Sequence, residues 1–166
     1  MKEGDTMRNA NVKKLTLAGV MAAMICVLTM FPHIPLGSGY IHLGDGLILL
    51  AVMLLGPLGI PAAAIGSMLA DLLVYPVYAP VTLIVKGLMA AVAYLIYRKD
   101  DRRRTVLAFV AAEAVMVLGY FVYEWIAVPE FAIADIPGNL IQAVAGVCVG
   151  LILTTIVPRL ETLTKS

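Results

Sequence analysis

Five ionisable residues stand inside or at the edge of long apolar runs: Asp45, Asp71, Lys86, Glu113 and Glu124. A charge held in hydrocarbon costs several kcal/mol, so such residues are candidates for function by default. Asp71 lies four residues before the end of one run and Lys86 seven residues into the next, joined by the short turn YPVY. In an antiparallel hairpin they sit about 6 and 10 Å from the same end, within reach of each other. That spacing suits a structural ion pair and a ligand contact alike. Tyr120 and Glu124, four apart, share a helix face, and so do Asn139 and Gln142, three apart. Tyr123 and Trp125 fall on other faces and suit an interfacial belt. A preceding loop adds Tyr40, His42 and Asp45, and the turn YPVYAP adds Tyr75 and Tyr78. All of these except Glu113 fall at one level. Aromatic faces with a few convergent donors and acceptors suit a small, flat, polar ligand. Glu113 lies deeper and is the odd one out.

Much chemistry is missing. The sequence has no GxxxxGK[ST], no HExxH and no GxSxG, so P-loop ATP hydrolysis, zincin chemistry and a nucleophile elbow are excluded. His33 and His42 are nine apart in a loop, a spacing that reads as solvated histidines rather than metal ligands. Cys26 and Cys148 lie in apolar runs and read as inert buried thiols. No metal, no cofactor and no catalytic residue is expected, and a net charge of +1 gives no attraction to nucleic acid.

The elements that must position these groups are membrane helices. Of 166 residues, 61% are hydrophobic and 14% charged, with a mean hydropathy of +0.96. A soluble domain carries about 45–50% apolar and about 25% charged residues. Six apolar runs are read as helices: Leu15–Phe31, Leu47–Leu55, Leu58–Tyr75, Ala79–Tyr97, Thr105–Ile126 and Ile136–Val157. The second is short of the roughly 20 residues that cross a bilayer. No small-residue cleavage site follows the first, so it is not read as a signal peptide. Eleven of the 12 Lys and Arg fall before the first run, between the fourth and fifth, or after the sixth, and the twelfth is Lys86. The positive-inside rule then predicts an all-α, polytopic six-helix bundle with both termini cytoplasmic. Residues 1–14 form a cytoplasmic segment, 15–158 the membrane domain and 159–166 a cytoplasmic tail. Small residues four apart, Ala18 and Ala22 in the first run and Ala62, Gly66 and Ala70 in the third, make flat stripes for internal packing or for a partner.

Three segments, KKLTLAGVMAAM, GYIHLGDGLILLAVMLLGPLG and ADLLVYPVYAPVTLIVKGLMA, give residues 13–157 a resemblance to the substrate-binding S components of energy-coupling factor (ECF) vitamin transporters. The resemblance implies a six-helix fold in a prokaryotic plasma membrane. It implies a vitamin site near the outer face, capped by the loop after the first helix. Its partners would be a membrane coupling protein, the T component, and two ABC-type ATPases that hydrolyse ATP, so the chain itself is no enzyme. The bundle would tip in the membrane to release its ligand. Ala18 and Ala22 then face the coupling protein. Riboflavin-like members often show NLGD where this chain has HLGD at 42–45. One Lys, two acids and several Tyr suit a hydroxymethylpyrimidine (thiamine precursor) or pyridoxine-like ligand, with riboflavin as the alternative. A self-sufficient secondary transporter using Asp71, Glu113 or Glu124 as proton carriers is the rival from another class, and the lack of an evident repeat argues mildly against it. A membrane enzyme or assembly factor is a third reading, without a motif to support it.

Overall fold

The computed structural model describes residues 2–32, 34–36 and 39–165; the side chains of 2–10, 36, 39–41, 161 and 163–165 lie outside that description. The elements in order are α1 (Lys2–Met30), β1 (Ile34–Leu36), β2 (Gly39–Ile41), α2 (Gly44–Leu55), a 3₁₀ turn (Gly56–Leu58), α3 (Gly59–Val74), α4 (Ala79–Ile96), α5 (Arg102–Ala127), α6 (Pro129–Ala132), α7 (Ile136–Leu153) and α8 (Val157–Lys165). Proline and its effect on the preceding residue set several boundaries. Tyr75 before Pro76 leaves the helical region (φ −137°, ψ 73°) and ends α3, and Val128 before Pro129 does the same for α5 (φ −146°, ψ 64°). At the start of α5, Asp101 accepts from the backbone N–H groups of Arg103 (2.9 Å) and Arg104 (3.1 Å), a side-chain cap on two otherwise unpaired donors.

The chain reverses after α2. Gly56 adopts φ +57°, ψ −126°, a conformation open to glycine alone. The turn lays Gly59 on the end of α2 so closely that a Cβ there would sit 2.7 Å from the carbonyl oxygen of Ala51. Six rods, α1, α2, α3, α4, α5 and α7, thus alternate in direction. Among the described residues, five continuous stretches are long and apolar enough to cross a membrane, and Gly44–Val74, which contains the reversal, is one of them. Alone, α2 has 12 residues, about 18 Å of helix, against a hydrocarbon core of about 30 Å.

Helix α2 forms the axis of the bundle. Every residue from Gly44 to Met53 is buried, with Ile48, Leu49 and Ala51 fully so. Around it pack Met21 and Ile25 of α1, Ala62 and Ala63 of α3, Met89, Ala90 and Ala93 of α4, and Phe109, Ala112 and Met116 of α5. The outward surface is apolar: Val20, Met24, Ile84, Leu88, Leu118, Val122, Val144 and Ile152 are all exposed, as a lipid-facing surface requires.

Three expectations are corrected here. The loop after α1 carries a hairpin, β1 and β2, pairing Ile34 with Ile41 and Leu36 with Gly39; its Gly-, Pro- and Ser-containing sequence reads as a turn without revealing the strands. The last spanning helix ends at Leu153, and a further helix, α8, runs from Val157 through most of the expected tail. Cys148 is exposed on α7 rather than buried, while Cys26 is half-buried.

Candidate ligand cavity

At one end of the bundle α1, α3 and α5 finish and α2, α4 and α7 begin. A cavity opens there, with about 520 Å³ of empty space, its mouth included. The backbone builds its wall in helical steps. Ser67 and Asp71 come from α3, with Tyr75 just beyond its end. Tyr78 caps the start of α4 and Thr82 and Lys86 follow on it, Met116, Tyr120 and Glu124 come from α5, and Asn139 and Gln142 from α7. Spacings of three or four residues keep each set on one face of its helix. Thr29 at the end of α1 and His42 before α2 close the ring.

The floor is a buried ion pair. Lys86 Nζ donates to Asp45 Oδ1 at 2.5 Å, with both side chains essentially inaccessible. Asp45 Oδ2 accepts from Gln142 Nε2 at 2.7 Å, and Gln142 Oε1 accepts from the His42 backbone N–H at 2.8 Å. These contacts fix the orientation of the Gln142 amide. His42 Nδ1 accepts from the Gly44 backbone N–H (3.1 Å) and faces Gln142 Nε2 (3.3 Å). The imidazole is thus neutral, with its proton on Nε2. Burial pushes His42 down to about 4; the nearby Lys86 acts in the same direction and Asp45 against it. Lys86 also lies 5.5 Å from the centroid of the Tyr120 ring, within cation–π range.

A second group lines the side wall. Thr82 donates to Asp71 Oδ2, and its hydroxyl lies 2.9 Å from the Tyr120 hydroxyl. Tyr78 packs against Tyr120 and Tyr123, with centroids 6.3 and 5.3 Å apart. Tyr123 donates to the Val77 carbonyl at 3.0 Å, and Trp125 is exposed beside Phe121.

The cavity gathers nine of the residues singled out from sequence: His42, Asp71, Tyr75, Tyr78, Lys86, Tyr120, Glu124, Asn139 and Gln142. Asp45 stands behind the wall and acts through Lys86 and Gln142. The Tyr40 side chain and His33 lie outside the described residues. Lys86 pairs with Asp45 of α2, not with its hairpin neighbour Asp71, whose oxygen is taken by Thr82. His42 is buried, not solvated. Sequence reasoning missed Thr29, Ser67, Thr82 and Met116. The signal for three of them was present, since Ser67, Thr82 and Met116 each lie four residues before a flagged residue on the same helix face.

Ala18 and Ala22 lie along the contact between α1 and α3. Ala18 is 8% exposed, Ala22 is half-buried, and a Cβ on Gly66 of α3 would collide with the Ala22 carbonyl oxygen. The stripe lets α1 and α3 approach closely, and it faces inward. The outward small residues of α1 are Gly19 and Ala23, and a Cβ on Gly19 would meet nothing within 4 Å. Glu113 lies outside the cavity, with Oε1 packed against Gly146 beside Asp45.

A polar, aromatic cavity at one end of an apolar helical bundle defines a membrane protein of the small-molecule-binding class. Residues 9–159 match the ECF-type riboflavin transporter S component family, and the chain belongs to that family. It is thus a substrate-binding component of a membrane transporter, not an enzyme. A curated relative from Pyrococcus woesei, described as an uncharacterized protein in gap 3′ region, is 36% identical over 131 residues, covering 76% of this chain and 88% of the relative. The fold is similar to a solved S component of a bacterial ECF transporter, with a TM-score of 0.74 at 23% identity over 94% of this chain and 99% of that one.

Proposed function

We propose that this chain captures a small heteroaromatic vitamin or precursor with amine or hydroxyl donors, best matched by hydroxymethylpyrimidine or a pyridoxine-like alcohol. The charge balance of the cavity carries this reading. Lys86 is neutralised by Asp45, and the lining adds two further acids, Asp71 and Glu124, with no further Lys or Arg among the described residues. Such a site favours donor-rich or cationic edges and opposes phosphates and carboxylates. The rings of Tyr75, Tyr78 and Tyr120 supply stacking surface. Native mass spectrometry of the purified protein, with extraction of retained ligand, tests the proposal. A pyrimidine or pyridine alcohol is expected, and a phosphorylated or carboxylate vitamin would overturn it. Riboflavin is the second reading, favoured by the family match, and a yellow preparation would decide for it.

The chain serves as the specificity subunit of an ATP-driven importer, with two ABC-type ATPases acting through a membrane T component. The bundle sits in a prokaryotic plasma membrane with both termini cytoplasmic, because Arg98, Lys99 and Arg102–Arg104 cluster at the end opposite the cavity. The coupling protein meets the outer face of α1 at Gly19 and Ala23. Uptake into liposomes by this chain alone, driven by a proton gradient, would sink the requirement for partners.

A further inference from the structure

Most polar atoms on the cavity wall are already engaged. Lys86 and Gln142 are held by Asp45, and Thr82 by Asp71 and Tyr120. Three buried oxygens on the wall have no partner: Thr29 Oγ1, Ser67 Oγ and Glu124 Oε2. They come from α1, α3 and α5 respectively. The two hydroxyls donate or accept as needed, whereas a carboxylate only accepts. Glu124 is 3% exposed, and the hydrogen bond it shares with Tyr78 leaves Oε2 free.

The helical steps order these groups along the cavity. Tyr78, capping α4, lies at the mouth and Lys86 at the floor, eight residues apart and about 12 Å along the axis. On α5, Glu124 shares the level of Tyr78, one turn above Tyr120. The floor therefore offers a donor, Lys86, and the mouth offers an acceptor, Glu124. A ligand spanning the two is oriented, with an acceptor edge inward and an N–H or O–H donor toward α5.

We infer that Glu124 is the specificity-determining residue of this cavity, selecting ligands that present a hydrogen-bond donor to its free carboxylate oxygen. The inference rests on the proposal that the cavity binds a heteroaromatic vitamin. A buried polar group left unmatched discriminates far more strongly than a missing methylene does.

Two probe pairs test it by calorimetry on the detergent-solubilised full chain. One is 4-amino-5-hydroxymethyl-2-methylpyrimidine against its 4-oxo analogue; the other is riboflavin against lumiflavin, which lacks the polyol. Wild type is expected to bind the member that carries the exocyclic amine or the polyol, in one of the two pairs, on the order of 10⁴-fold more tightly. Glu124→Gln, whose amide also donates, is expected to shrink that ratio to below about tenfold, chiefly by weakening the donor-bearing member. Glu124→Met serves as a second variant should Glu124→Gln melt early. Equal weakening of both members, or an unchanged ratio, overturns the inference and leaves vitamin binding standing. Failure of wild type to bind any of the four probes or pyridoxine overturns both.

Discussion

Among the described residues Lys86 is one of the largest fully buried side chains, and it is charged. Its partner Asp45 is equally enclosed. Removing one member of such a pair strands the other in a medium that cannot solvate it. Lys86→Met and Asp45→Asn are each expected to destabilise the protein by about 3–5 kcal/mol. The double variant should recover much of that loss, and denaturant melts of all four proteins complete the cycle. His42 makes a separate statement about pH. Its folded value of about 4 lies below the ordinary 6.5, so between those values the unfolded chain binds more protons. Stability therefore rises with pH across that window and is lost as pH falls from 6.5 toward 4. Thermal melts from pH 4 to 7 should show this slope in wild type. It should flatten in His42→Asn, which keeps an acceptor near Nδ1 without the titration. The sequence revealed most of this cavity because helical spacing puts Tyr120 with Glu124 and Asn139 with Gln142. The partner of Lys86 was not legible, because proximity along the hairpin pointed to Asp71. The true partner belongs to α2, whose start is obscured where polar Asp45 interrupts its apolar run.

At the scale of elements, glycine and alanine set how near the helices come. Gly66 lets α3 rest on the backbone of α1 at Ala22. Gly66→Ala places its methyl against main chain, which yields less readily than a side chain. The expected loss is about 1–3 kcal/mol, read as a lower melting temperature, with the cavity residues themselves untouched. The stripe Ala62, Gly66 and Ala70 was plain in the sequence. The face that it meets was not, because small residues four apart serve equally inside a bundle and between proteins. The same ambiguity hid the orientation of Ala18 and Ala22, which only the rotation of α1 about its axis resolves. Helix α8 escaped notice because its own nine residues are largely polar.

For the whole molecule, the two faces of α1 separate folding from coupling. Ala18→Trp would force a large ring into the α1–α3 contact and is expected to unfold or severely destabilise the bundle. Gly19→Trp projects into open space and should leave ligand affinity and melting temperature near wild type. If the coupling protein docks on that face, Gly19→Trp should abolish vitamin uptake in cells containing the transporter. Uptake at the wild-type rate would remove α1's outer face from the partner interface.

Helix α2 has one more consequence. Its side chains from Leu47 to Met53 are buried along the bundle axis, behind the cavity floor at Asp45 and Lys86. The cavity is consequently a blind cup and not one end of a pore, and a dry apolar plug separates it from the far side. Such a plug is electrically insulating. Planar bilayers doped with this protein should show no added conductance, with or without ligand, so a cell can keep many copies in its membrane without eroding its ion gradients.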